Sequence, residues 1–458
     1  MVEIILNMTY CIAQRYSSSK LIWMDNKLIV LIPRQMELRF ARMSEEKVTF
    51  VYHPAELSLK GKNRGQFEDQ LTRNMRNQLR HAGIESIKIE KIHGRHFITV
   101  PASQENIISE VSPRIFGVSN YGRCYTVPRD EDVLKSTLIE HFRDLQAKNL
   151  VPNFKVDTSR VDKRYPKQSM DFNKDIGAVL HDTLGIPVKV QKPDVTLHIE
   201  ILDDSFVYFT DRLPGPLGLP VGSSGRVACL LSGGFDSPVA VWMMMRRGCS
   251  VQLIHFHSSP FGEWRSSVSK IRKIVQVLHE WGGPPKFYAV PIGELQRQIA
   301  VNAPDKLRVT LYRRLMMRVA KALAEKQHCE ALATGDSLGQ VASQTIDSMT
   351  TIQSVVSPML IFRPLLGFPK EEIMDRAEKV GTKDISILPA GDCCSHMLPK
   401  KVATKPTIQD AEEGEKKLDI KSMIETAVQA AQLIDINDPW NEEANDTETL
   451  GCPLTFQE

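Results

Sequence analysis

The chain has 458 residues, 42% of them hydrophobic and 25% charged, a length and composition that suit two to four packed domains rather than one small one. Its eight cysteines are scattered without a Cys-x-x-Cys pair, which argues against a zinc site or a disulfide scaffold. The formal charge of +3 hides an asymmetry: residues 407–458 carry 13 Asp/Glu against 3 Lys, a balance of −10 that leaves about +13 for residues 1–406 and suits a polyanionic partner such as RNA.

Residues 1–45 show no sustained hydrophobic period and are expected to be a poorly ordered leader or a mis-assigned start, Met43 being an internal alternative. The apolar patch LIWMDNKLIVLI within them is broken by Asp25, Asn26 and Lys27. It can neither span a bilayer nor act as a signal core, so a cytoplasmic protein without a membrane partner is expected. Residues 46–125 read as an α+β module: a strand KVTFVYH, a loop with Lys60, Lys62 and Arg64, a helix over about 66–82, and strands SIKIEKI and HFITV. Residues 126–212 repeat that character with the helix DEDVLKSTLIEHFRDLQAKN, the strand NFKVDTSRV, a helix near 171–184, and strands DVTLHIEIL and FVYFTDR. The loop after the first of these strands is basic, with Arg160, Lys163, Arg164 and Lys167 nearby. Both basic clusters suit phosphate contacts or an ordinary solvated face.

The Pro/Gly-rich LPGPLGLPVGSSG at 213–225 marks a linker. Over 226–406 strands and helices then alternate: RVACLL, a helix 237–247, SVQLIHFH, a helix 266–282, KFYAVPI, a helix 305–327, CEALATG and a helix near 340. Such alternation predicts a doubly wound parallel sheet with its ligand at the carboxyl ends of the strands. Residues 407–458 read as an acidic tail holding one helix, DIKSMIETAVQAAQLI, before it frays.

Within VACLLSGGFDSPVA a strand runs through Gly233-Gly234 into a helix. That arrangement points unpaired backbone N–H groups at one spot with the positive end of the helix dipole behind them, a place for an anion. The stretch lacks the Gly-Lys-Ser/Thr ending of a Walker loop and the G-x-G-x-x-G of a dinucleotide fold. Two glycines alone would equally serve a tight turn capped by Ser232 or Asp236.

The whole string LLSGGFDSPVA resembles the PP-loop, SGGxDS, of the N-type ATP pyrophosphatases. The resemblance implies that ATP is split to AMP and pyrophosphate, that Ser232, Gly233, Gly234 and Ser237 donate to the pyrophosphate, and that Asp236 holds Mg2+. Further stretches, HFHSSPF, LYRRLMMRVA, ATGDSLGQVASQT, RPLLGFPKEEI and DCCS, resemble the tRNA 4-thiouridine synthetase family, ThiI, and the likeness extends over about 47–406. It implies a multidomain α/β and α+β protein: ferredoxin-like and THUMP domains, the latter binding tRNA, before a doubly wound PP-loop domain. By position, Leu230, Leu231, His255 and Phe256 would line the adenine and ribose pocket, and Arg313, Gly335 and Gln344 would complete the nucleotide contacts. Leu230 and Phe256 would also suit a plain core. Lys370 matches a catalytic lysine, and Asp392-Cys393-Cys394 matches the pattern that makes Cys394 the persulfide carrier, with Cys393 as resolving thiol, substitute or bystander.

The implied activity is ATP-dependent transfer of persulfide sulfur to uridine 8 of tRNA, giving 4-thiouridine, AMP and pyrophosphate. The sequence leaves two alternatives: a PP-loop enzyme of amine or 2-thiolation chemistry, and a non-catalytic THUMP RNA-binding protein. About 50 residues after the PP-loop domain are too few for the rhodanese domain of some relatives. A cysteine desulfurase or a separate carrier is therefore expected to load Cys394, the thiamine role of rhodanese-bearing members is in doubt, and Cys452 is a lesser candidate for relay. No iron–sulfur cluster is expected, and family analogy suggests a homodimer.

Overall fold

The computed structural model describes residues 20–24, 27–31, 46–56, 61–262, 264–389 and 402–440. The chain forms two compact units, one of Met1–Tyr52, Leu79–Glu110 and Tyr121–Leu213, the other of His53–Gln78, Val111–Asn120 and Pro214–Glu458. No helix among the described residues is long and apolar enough to cross a membrane.

Inside the expected leader, β1 (Lys20–Met24) and β2 (Lys27–Leu31) pair antiparallel. Next come β3 (Lys47–Pro54), α1 (Arg64–His81), β4 (Lys88–Ile92), β5 (Arg95–Pro101) and α2 (Glu105–Val111). They are followed by β6 (Val118–Pro128), α3 (Glu131–Ala147), β7 (Phe154–Arg160), α4 (Ser169–Leu184), β8 (Val195–Ile201), β9 (Ser205–Phe209) and the two-residue β10 (Leu213–Pro214). The strands join in the order β4-β5-β3-β6-β9-β8-β7, with β10 beside β6. Periodicity explains the packing. Leu134, Leu138 and Phe142 on α3 and Phe172, Ile176 and Leu180 on α4 recur every four residues, Leu197, Ile199 and Ile201 on β8 every two, and all nine are buried in one core. The boundary expected at 125/126 falls within β6. A strand has two hydrogen-bonding edges, and the 11-residue β6 uses one beside β3 and the other on β9, so both α+β modules share one sheet.

The second unit carries β11 (Arg226–Leu230), α5 (Asp236–Arg246), β12 (Ser250–His257), α6 (Trp264–Glu280), β13 (Lys286–Pro291), α7 (Gly293–Asn302) and α8 (Arg308–Lys326). It continues through β14 (Ala331–Ala333), α9 (Ile346–Gln353), β15 (Leu360–Phe362), α10 (Lys370–Val380), α11 (Lys383–Ile387), α12 (Ile408–Glu415), α13 (Ile420–Ala430) and β16 (Gln432–Asp435). The sheet order is β15-β14-β11-β12-β13-β16, parallel except for β16. One apolar core takes Val241 and Met245 of α5 with Ile271, Ile274 and Leu278 of α6; another takes Ile299 of α7 and Leu311, Leu315 and Val319 of α8. This is the doubly wound arrangement the alternation predicts. The chain runs outward from β11 to β13 and then returns to place β14 on the other side of β11, a switch point that opens a crevice at the carboxyl ends of these two strands.

The expected acidic tail is a correction. Through residue 435 the segment forms α12, α13 and β16, with Ala411, Met423 and Ala427 in the core and β16 antiparallel on β13. One of its acidic residues, Glu415, is a buried counter-ion. Its carboxylate accepts from Arg314 at 2.8 and 2.9 Å and from Arg318 at 2.7 and 2.8 Å. Residues 441–458, Cys452 among them, lie outside the described residues.

Candidate active site

β11 delivers the chain to the switch point: the Leu231 amide donates to the Ile254 carbonyl at 2.8 Å, extending the register with β12, and the glycine turn then leads into α5 at Asp236. No side chain caps that helix, so its first amides remain available to a ligand. Ser237, expected to donate to phosphate, is engaged within the turn. Its Oγ accepts the Ser232 amide at 2.7 Å and lies 3.2 Å from the Ser232 carbonyl and 3.0 Å from the Ser232 hydroxyl. A hydroxyl has one proton, so it closes the loop through one of these oxygens at a time.

A cavity of about 470 Å3 opens at this point. Leu230, Leu231, Ser232, Gly233, Gly234, Asp236 and Ser237 line it from the turn, and His255 and Phe256 line it from the end of β12. Arg313, Gly335 and Gln344, from three later segments, complete the set expected of a nucleotide pocket. Its volume lies within the range of small-molecule sites. His255 is buried and bridges the strands to α6, with Nδ1 3.0 Å from the Leu231 carbonyl and Nε2 3.2 Å from Ser267 Oγ. Its ring therefore shapes the wall.

Gly335 lies where the end of β14 meets α5. A Cβ there would sit 2.7 Å from both Cα and N of Ser237, a backbone collision. Gly335→Ala is expected to push α5 and the glycine turn apart and to weaken ATP binding by about tenfold or more; isothermal titration with ATP measures this, and unchanged affinity would refute it.

Sequence reasoning missed the polar hub of the cavity. Asp336 is buried; its Oδ2 accepts from Thr334 Oγ1 at 2.7 Å and Arg363 Nε at 3.4 Å, and its Oδ1 accepts from Gln344 Nε2 at 3.4 Å and pairs with Arg313 at 3.2 Å. Burial would raise its pKa, but Arg313, Thr334, Arg363 and Gln344 together hold it below the ordinary value. Asp336 thus stays ionised and fixes two of the expected nucleotide contacts. Lys270 also lines the cavity. The signal for it was present in the sequence: on α6 it falls in the stripe of Ser267, Ile271, Ile274 and Leu278, an apolar face where a lysine is out of place.

Asp236 sits half-buried at the cavity mouth, and Gln340 Nε2 donates to its Oδ2 at 3.1 Å. Burial raises its pKa and Asp336 adds to that, while Gln340 and Lys370 act the other way without cancelling the shift. Lys370, expected to be catalytic, is exposed as the first residue of α10 and does not line the cavity. Among the described residues no group of three His, Cys, Asp or Glu could hold a metal ion.

Cys393, Cys394 and Lys60 lie outside the described residues, as does the side chain of Lys62. The other expected RNA contacts are largely committed within the protein. Arg64 pairs with Glu68 at 2.7 Å, and Arg160 donates to the Tyr165 and Lys167 carbonyls at 3.1 and 3.2 Å. Arg164 bridges Asp162 at 2.9 Å and Asp203 at 3.1 Å, and Lys167 bridges Glu131 at 2.7 Å and Asp175 at 2.9 Å. Lys163 is exposed.

Three family matches run along the chain: the ThiI ferredoxin-like domain over residues 49–122, the THUMP domain over 129–211, and Thiamine biosynthesis protein (ThiI) over 222–420. A probable tRNA sulfurtransferase of Brevibacillus brevis is 39% identical over 382 residues, which is 83% of this chain and 94% of that protein. One of Alkaliphilus oremlandii is 37% identical over 380 residues, 82% and 96% of the two chains. Among solved structures, a 4-thiouridine synthetase in complex with RNA and bound ATP superposes with a TM-score of 0.75 at 33% identity, covering 85% of this chain and 99% of that one. PH1313 of Pyrococcus horikoshii shares the fold, with a TM-score of 0.56 at 20% identity, covering 73% and 99%. With relatives matched along nearly their whole length and three family models, the ThiI ferredoxin-like, THUMP and ThiI domains, matched along the chain, this chain belongs to the ThiI family of tRNA sulfurtransferases.

Proposed function

We infer that this protein uses ATP to activate uridine 8 of tRNA and replaces its O4 with sulfur, giving 4-thiouridine. The observation that carries the reading is the cavity, which gathers the PP-loop amides, an apolar wall and a buried Arg–Asp hub at one switch point. The bound ATP and RNA of the 33%-identical synthetase support it.

In this reading Leu230 and Phe256 pack against the adenine and ribose, and the turn amides at Gly233 and Gly234 hold the pyrophosphate as it leaves. Arg313, oriented by Asp336, faces the nucleotide from α8. The residues fit one Mg2+: Asp236 offers a half-buried carboxylate at the mouth of the phosphate-binding turn, and Mg2+ typically takes one or two carboxylates with phosphate oxygens and waters. When bound, that ion supplies charge neutralisation of the triphosphate. O4 of the uridine attacks the α-phosphate and pyrophosphate departs; the terminal sulfur of a Cys394 persulfide then attacks C4 and AMP departs, and a second thiol, that of Cys393 or an external one, attacks the Cys394 sulfur, breaking the S–S bond to release 4-thiouridine and leaving a disulfide. Lys370 contributes positive charge near Asp236.

The four described cysteines are poor sulfur carriers, and the family pattern points to Cys394 in the Cys393-Cys394 pair. Cys124, Cys229, Cys249 and Cys329 are buried free thiols whose pKa burial raises, that of Cys124 to about 12, which disfavours the nucleophilic thiolate. A cysteine desulfurase or a separate carrier supplies the persulfide, and the protein acts as a homodimer. Mass spectrometry of tRNA nucleosides tests the reading. A strain lacking this protein is expected to lose 4-thiouridine, wild-type protein to restore it, and Cys394→Ala not to. Persistence of 4-thiouridine in the deletion strain would overturn the function, and restoration by Cys394→Ala would overturn the sulfur carrier.

A further inference from the structure

We propose that Lys270 is the cation of the pyrophosphate half of this site, its ammonium binding the β- and γ-phosphoryl oxygens of ATP and staying with pyrophosphate as it leaves. The proposal rests on reading the cavity as an ATP site. The glycine turn has no lysine of its own, and Lys270 reaches the same place from another element. It lies on the buried stripe of α6 and is only 9% exposed, yet it lines the cavity.

The approach to the turn is close. A Cβ at Gly233 would lie 3.1, 3.3 and 3.4 Å from Cδ, Cε and Nζ of Lys270, so the glycine leaves room for the lysine stem. Nζ donates to the carbonyls of Ser386 at 2.9 Å and Leu388 at 2.7 Å, and Ser386 Oγ donates to the Gly234 carbonyl at 3.3 Å. The ammonium is therefore held beside the turn amides, where phosphoryl oxygens have charge to share, and an ammonium has donors only. A tie between α6 and α11 alone would explain the two carbonyl contacts but not the exposure of this buried lysine to the cavity at the phosphate end.

Titration calorimetry of the full-length protein with ATP, AMP and pyrophosphate separates the two roles. Lys270→Met is expected to weaken ATP and pyrophosphate on the order of 10- to 100-fold, as for loss of a contact to a charged group, with AMP affinity changed by less than about threefold and Lys270→Arg recovering part of the loss. Should Lys270→Met not fold, Lys270→Gln, which keeps a donor for the two carbonyls but no charge, carries the same comparison. Equal weakening of AMP and ATP, or none of either, would overturn this assignment alone. Wild-type protein that bound neither nucleotide would overturn the ATP-site reading and this assignment with it.

Discussion

Asp236→Asn is expected to lower ATP-dependent tRNA thiolation by about 100- to 1,000-fold, on the order of what is lost when one preorganised electrostatic group is removed from an active site. The substitution keeps size and shape, and the Gln340 amide can still meet an oxygen, so the loss would report charge. A mere RNA binder would lose nothing in cells, and an unchanged 4-thiouridine content with Asp236→Asn would sink the assignment. A pH dependence accompanies it. Burial, aided by Asp336, sets the Asp236 pKa above its ordinary 3.8, with Gln340 and Lys370 opposing. The active form is the carboxylate, so kcat/KM for ATP should fall as the pH drops through a value above that of a free aspartate. Lys370→Met removes a charge that favours the carboxylate, and it should move this acid limb higher still.

The second large effect concerns stability. Glu415→Ala is expected to cost about 3–5 kcal/mol, because it leaves two arginines without their buried counter-ion. Arg314 is almost wholly inaccessible, and besides Glu415 it donates to the Thr351 carbonyl at 2.8 Å, so it cannot swing out to water. Burial by itself raises the Glu415 pKa, but the hydrogen bonds and charges of Arg318 and Arg314 prevail and hold it below the ordinary 4.5. A depressed carboxylate pKa contributes stability that is present above the unfolded-state value and is lost as the pH falls through the folded-state value. The gap between wild type and Glu415→Ala in chemical denaturation should therefore be full near neutral pH and narrow on acidification below about 4.5. A midpoint unaffected by the substitution would show that α12 is not fastened through this residue.

Much of the architecture was legible because local patterns survive folding. SVQLIHFH was read at the limits found for β12, 250–257, since a continuous apolar run between turn signals has few other uses. The four-residue spacing on α3 and α4 was equally plain. By contrast, α7 carries a weaker pattern and was passed over, and the acidic composition after residue 407 concealed the helix α12 and an edge strand, although α13 was read there. Composition averages over a segment, whereas one buried carboxylate and a few apolar residues such as Ala411, Met423 and Ala427 decide whether it packs.

The SGGFDS turn and its place between strand and helix were legible in the sequence, because chemistry at a backbone turn needs particular residues at fixed short spacing, whereas Arg313, Gly335 and Gln344 were reached only through the family resemblance. Which distant side chains would share the cavity was decided only by the tertiary structure. Asp336 joins Arg313 to Arg363, and Lys270 arrives beside Gly233 from the next helix along. The reason is physical: a side chain's partners are set by how sheet order and helix packing bring separate segments together, and no periodicity within one segment encodes what will face it from another.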